Sequence, residues 1–173
     1  MVDQKQIGFI GTGVMGARMC RNLAKKTRIP VIAFDADMDK VAALSDVRVE
    51  AAPSIEALVK KADIILMCLP GEPQVRAVCT QEGGILEFVR PGQTIIDMTT
   101  ATANIEREMV KLFAEKSVDY ADAPVARGVS AAEDGTLSIM VGATTEVFDR
   151  IKPVLETMGT DITLCGDVGT GQV

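Results

Sequence analysis

KQIGFIGTGVMGARMCRNLAKK, residues 5–26, opens on an apolar run and closes on a segment with an apolar stripe at helical spacing. Three glycines, Gly11, Gly13 and Gly16, fall where the two meet. Glycine weakens both helices and strands, so three of them within six residues point to a backbone that must come close to something. The pattern is G-x-G-x-x-G, after a strand and at the start of a helix. There Gly11 lets the strand turn sharply, Gly13 leaves room for a pyrophosphate against the backbone, and Gly16 permits close helix–strand packing. Thr12, Val14 and Met15 occupy the positions between them. Phosphates would meet the unpaired amides and positive dipole end of a helix over 14–26.

An acid completes the pattern. Asp35 follows the apolar run PVIAF and lies nineteen residues beyond Gly16. Its carboxylate suits the two ribose hydroxyls of an adenosine half and opposes a 2′-phosphate, so NAD is expected over NADP. Asp37 and Asp39 add negative charge nearby. A flavin dinucleotide also fits the fingerprint and ranks below NAD. The competing reading is a purely structural turn, with Asp35 an ordinary loop residue.

Composition narrows the function classes. A chain of 173 residues can bury one proper core. Apolar content is 47% and aromatic content 3%, so that core rests on aliphatic residues, Met and Ala. A net charge of −6 argues against a nucleic-acid-binding surface. The longest apolar stretch, IILMCLP, is too short to span a bilayer. No secretory apolar region follows the polar start MVDQKQ. Cys20, Cys68, Cys79 and Cys165 form no C-x-x-C pair and read as small core hydrophobes, which suits a reducing cytoplasm. Histidine is absent, which removes the commonest general base and the commonest transition-metal ligand. No metal site is expected.

Along the chain, short apolar runs alternate with helical patterns. Strands are predicted at 7–10, 30–34, 47–50, 63–69, 94–98, 118–122, 137–141 and 162–165. Helices are predicted at 14–26, 38–45, 54–61, 73–79, 103–116, 129–134 and 145–157, with Ser54, Thr102 and Thr144 as N-caps. Continuous apolar strands such as IILMCL are buried on both faces. The fold class is therefore α/β: a doubly wound, mostly parallel sheet with helices on both faces. The last two strands are expected near an edge, one of them antiparallel.

In such a sheet the ligand lies outside the carboxyl ends of the strands. Three loops fall there. CLPGEPQV, 68–75, is stiffened by Pro70 and Pro73 and offers the apolar Leu69 as a face for the adenine or ribose; a plain proline-rich turn is the alternative. DMTTATAN, 97–104, offers Thr99, Thr100 and Thr102, the last also a helix cap. DAPVARGVS, 122–130, carries Arg127 between Ala126 and Gly128, where a guanidinium can clamp an anion or simply be a solvated surface group. Every lysine is read as lying on a strand start or helix face, away from this edge.

GFIGTGVMGARMCRNL, DMTTATAN and DAPVARGVSAAEDGTLSIMVGA together resemble the β-hydroxyacid dehydrogenases. These include 3-hydroxyisobutyrate dehydrogenase, tartronate semialdehyde reductase and, more distantly, 6-phosphogluconate dehydrogenase. The resemblance implies a Rossmann-type domain and reversible NAD(P)-dependent oxidation of a hydroxyl β to a carboxylate. It assigns cofactor contacts to Leu69, Pro70, Gln74 and Thr100, and the substrate loop to Asp122–Gly128.

The chain departs from the family pattern in several places. The usual Ser-Gly-Gly is Ala126, Arg127 and Gly128. Sulfolactaldehyde reductases look similar in carrying an arginine here, so a semialdehyde with a sulfonate or phosphate is an alternative to a plain 3-hydroxyacid. A proline usual at the helix after the fifth strand is Ala103. The family's catalytic lysine lies in a G-x-G-x-x-x-K pattern that Gly169 to Val173 begin, about two positions beyond the last residue. The expectation is thus a dinucleotide-binding domain over 1–165. Residues 166–173 would start an interdomain helix, with the helical C-terminal domain and the catalytic lysine beyond it, and this piece alone would be inactive. The parent is expected to be a homo-oligomer. Imine-reductase-like relatives and a stand-alone dinucleotide-binding module remain the alternatives.

Overall fold

The computed structural model describes residues 5–173; Met1–Gln4, part of the polar start read above, lie outside them. In chain order the elements are β1 (Ile7–Ile10), α1 (Val14–Lys26), β2 (Val31–Phe34), α2 (Met38–Ala42), β3 (Val49–Ala51), α3 (Ile55–Lys61), β4 (Ile64–Met67), α4 (Glu72–Thr80) and α5 (Ile85–Phe88). They continue as β5 (Thr94–Asp97), α6 (Ala103–Ala114), β6 (Asp119–Asp122), β7 (Val125–Ala126), α7 (Gly128–Asp134), β8 (Leu137–Gly142), α8 (Thr145–Leu155) and β9 (Gly159–Gly166).

Strands β3-β2-β1-β4-β5-β6 lie side by side in that order, and every pairing among them is parallel. β8 then pairs antiparallel with β6 and β7 and parallel with β9. The chain first builds outward from β1 through β2 to β3, then starts again on the other side with β4. That reversal leaves a crevice at the carboxyl ends of β1 and β4.

Side chains alternate across the sheet and feed two cores, one per face. Phe9, Ala33, Leu66 and Ile96 meet Met19 and Leu23 of α1 and Ile151 and Leu155 of α8. Ile10, Ile32, Ile65 and Ile95 meet Leu58 of α3, Val75 of α4 and Met109 and Phe113 of α6. This is the doubly wound arrangement read from the sequence. The three expected caps form: Ser54 accepts from the Ala57 amide, Thr102 from Ile105 and Thr144 from Val147.

The differences are local. β7 and α5 were not read from the sequence, being only two and four residues long. α2 stops at Ala42 and gives way to turns. β9 runs from Gly159, three residues earlier than read, because β8 offers it a parallel partner that far back. Residues 167–172 are turns and bends rather than the start of a helix, and Val173 N donates to Thr170 O in a turn-type bond. Cys165 is exposed on β9, not a core residue, whereas Cys20 and Cys79 are buried. Among the described residues no helix is long and apolar enough to cross a membrane.

Phe113 is fully buried and stacks on Tyr120 with ring centroids 5.4 Å apart. Phe113→Ala is expected to cost about 3–5 kcal/mol of stability in urea unfolding. A loss below about 1 kcal/mol would show that this ring is not part of the close-packed core.

Candidate functional site: the cleft over the glycine loop

The three glycines do different jobs. Gly11 has φ +93°, and a Cβ there would sit 2.2 Å from the carbonyl oxygen of Cys68. A Cβ on Gly16 would sit 1.9 Å from the carbonyl oxygen of Gly11. Both positions therefore exclude any side chain because the protein's own backbone is in the way. A Cβ on Gly13 would meet nothing within 4 Å. Gly13 is the N-cap of α1, and no side chain caps that end. The first-turn amides of α1 thus lack the partner that Ser54, Thr102 and Thr144 supply to other helices.

Asp35 is tied to this loop. The buried Thr12 donates its amide to Asp35 Oδ2 at 2.8 Å, and the Asp37 amide donates to Oδ1 at 2.9 Å. The acid after β2 thereby locks the glycine turn after β1 to the neighbouring strand end.

A cleft of about 610 Å³ lies over these groups. Gly11, Gly13, Val14, Met15, Gly16 and Asp35 line one part of it; Leu69, Pro70, Gln74, Thr100 and Gly128 line the rest. Thr12, Ala126 and Arg127 do not line it. The sequence reading missed Phe34, Val78, Met98 and Val125, apolar residues that complete the walls. It also misplaced Lys40, which lines the cleft with Asp35 and Ala36 because the short α2 follows directly on β2. A larger hollow of about 760 Å³ lies around Lys25, Arg28, Arg48 and Glu50 near the start of β2. It has no glycine turn and no bare helix end, so the cleft is the better candidate.

Arg127 holds a left-handed backbone, φ +83°, at the head of α7. Its guanidinium donates to Thr136 O at 3.1 Å and to Asp161 Oδ2 at 3.2 Å, and Ser138 donates to the same oxygen at 2.9 Å. In this state the arginine is the exposed staple between the loop and β9, and no anion clamp is formed in the cleft.

A buried acidic group lies at the ends of β5 and β6. Asp97 and Asp122 face each other in register at the ends of β5 and β6, and Glu106 of α6 joins them; all three are fully buried. The Tyr120 hydroxyl donates to Glu106 Oε2 at 2.7 Å, with Asp97 Oδ2 at 3.4 Å. Asp97 Oδ1 accepts from the Thr99 amide at 2.9 Å, and Asp122 Oδ1 from the Gly169 amide at 2.6 Å. Asp122 Oδ2 has no hydrogen-bond partner among the described residues. Burial raises the pKa of Asp97 to about 6 and of Glu106 to about 9, and pushes Asp122 upward as well. The Asp97 charge contributes to the rise at Glu106. Glu106 is accordingly the member that keeps its proton as pH rises.

Residues 6–166 match the family described as the NAD binding domain of 6-phosphogluconate dehydrogenase. The chain belongs to that family. It is 42% identical over 166 residues to a 2-(hydroxymethyl)glutarate dehydrogenase of Eubacterium barkeri, which covers 96% of this chain and 55% of that protein. A Mycobacterium tuberculosis 3-hydroxyisobutyrate dehydrogenase, solved with L-serine, superposes with a TM-score of 0.91 at 33% identity, over 98% of this chain and 57% of that one. The structure of Psf3 in complex with NADP+ and 2-OPP gives a TM-score of 0.90 at 30% identity, over 96% and 58%. The chain spans about half the length of the curated relatives it matches.

Within this NAD-binding family domain, the buried acids carry a pH signature. Glu106 binds its proton more tightly folded than unfolded. Its contribution to stability is complete below the unfolded carboxylate pKa and is lost as pH climbs toward the raised folded value. Stability should therefore fall from about pH 5 to about pH 9, and Glu106→Gln, which mimics the neutral acid, should fall less steeply over that range. Urea unfolding of both proteins at several pH values reads the two slopes. Parallel slopes would mean that Glu106 is ionised in the fold.

Proposed function

We propose that this chain binds NAD in the cleft, as the dinucleotide-binding part of a dehydrogenase acting on a small 3-hydroxyacid. Gly13 carries the reading. Gly11 and Gly16 have no space for a side chain; Gly13 has open space and lacks one all the same. The protein's own packing leaves that absence unexplained, whereas a diphosphate resting on the bare end of α1 explains it.

The groups along the cleft fit such a ligand. The first-turn amides of α1 hold the pyrophosphate. Asp35 Oδ1 has one further acceptor direction for a ribose hydroxyl beyond the Asp37 amide, while Oδ2 already accepts the Thr12 amide and, at 3.5 Å, the Thr12 hydroxyl. The same charge opposes a 2′-phosphate and favours NAD, while Lys40 at that end of the cleft works against the discrimination. Leu69, Pro70 and Gln74 supply one wall, and Thr100 stands at the nicotinamide end. When bound, the dinucleotide supplies the hydride acceptor.

On the substrate side, Ala126–Gly128 is the loop for the carboxylate, and Gly128 brings backbone to the cleft. The Eubacterium barkeri relative is named for a dicarboxylate, which supports a substrate with a second anionic group. Arg127 reaches such a group only by releasing Asp161. The proton acceptor in this reading is a lysine in the continuation of the Gly169-x-Gly171 pattern. Among the described residues the one lysine lining the cleft, Lys40, stands beside Asp35 instead.

Gly13→Val tests the reading. The variant is expected to melt close to the wild-type temperature by circular dichroism and to bind NAD+ at least about a hundredfold more weakly in calorimetry. Unchanged affinity in a folded variant would remove the pyrophosphate from this loop.

A further inference from the structure

Gln172 does not line the cleft, yet its side chain holds the loop that does. Nε2 donates to Thr99 O at 2.8 Å and to Glu106 Oε1 at 3.0 Å, and the Ala101 amide donates to Oε1 at 3.1 Å. Both amide protons and the amide oxygen are used. The side chain donates and accepts across Thr99 and Ala101 much as a neighbouring strand would.

Among the described residues Thr99 O and Ala101 N have no other hydrogen-bond partner. After β5 the chain leaves the sheet, so Thr99 O and Ala101 N have no ladder partner of their own. Thr99 is also the hub of the wall: its amide donates to Asp97 Oδ1 at 2.9 Å, and its hydroxyl accepts from the Leu69 amide at 3.0 Å. Fixing Thr99 therefore fixes Thr100 beside it, and both line the cleft. Gln172 itself is held from behind. The Gly169 amide bonds to Asp122, and a Cβ on Gly171 would lie 2.5 Å from Met140 O. The backbone bearing Gln172 is thus pressed onto the strand ends.

We propose that Gln172 is a positioning residue for the nicotinamide half of the cleft, acting through Thr99 and Ala101. The inference rests on the NAD-binding reading above. It separates the two halves of the ligand. The adenosine half is built from Gly11–Gly16 and Asp35, which Gln172 does not touch. The nicotinamide half uses the wall that it sets.

Calorimetry on this chain with NAD+ and with ADP distinguishes the halves, since ADP carries the adenosine and diphosphate but no nicotinamide. Gln172→Ala and the volume-keeping Gln172→Leu are expected to weaken NAD+ roughly five- to tenfold, as loss of buried hydrogen bonds does, and to leave ADP within about twofold. Equal effects on both ligands, or none on either, would overturn the positioning role. Wild-type protein that bound neither ligand would instead overturn the NAD reading, and this inference with it. Should both variants fail to fold, hydrogen exchange of the Ala101 amide in the wild type decides. Protection is expected, and exchange at the rate of a free amide would overturn the proposal.

Discussion

The structure depends on one close approach. The α-carbon of Gly16 sits so near the carbonyl oxygen of Gly11 that a Cβ would lie 1.9 Å away. That contact lets α1 begin over the end of β1 with only Gly11–Gly13 between them. The helix end is thereby held at the sheet edge, above the crevice where strand order reverses. Gly11, bent to φ +93° against the Cys68 carbonyl, fixes the turn from the β4 side. Asp35 fixes it from the β2 side through Thr12. Three strand ends converge on one turn, and the bare amides of α1 are aimed by all of them.

The far half of the cleft is built by different means. Its loops follow β4, β5 and β6 and have no glycine turn to aim them. Hydrogen bonds to buried groups replace it: Thr99 to Asp97, Leu69 to Thr99, Gly169 to Asp122 and Gln172 to Thr99, Ala101 and Glu106. Three carboxyl groups in so small a volume cannot all ionise without strong repulsion, so protons are retained there. The near half is rigid by steric exclusion. The far half is rigid only while its polar network is complete.

Sequence alone disclosed what depends on neighbours in the chain. Alternating apolar runs give the strands, and hydroxyls at Ser54, Thr102 and Thr144 give the helix starts. Glycine spacing with Asp35 gives the near half of the cleft. What stayed hidden depends on register and on distant segments. Asp97 and Asp122 become neighbours only because β5 and β6 pair at that residue. Gln172 meets Thr99 across 73 positions, a contact no local pattern announces. For Arg127 the sequence leaves an anion clamp and a solvated surface group both open, because nothing local announces Asp161, 34 residues on. β7 and α5 are too short for periodicity to reveal.

The central claim is that the amides opening α1 receive a diphosphate. Amide chemical shifts of the 15N-labelled chain, followed during titration with NAD+, test it directly. The largest shifts should fall on Thr12 to Gly16, with a second set around Thr99–Ala101. Saturation with no change at the glycine turn, or with shifts gathered around Arg28 and Arg48 instead, would contradict the account.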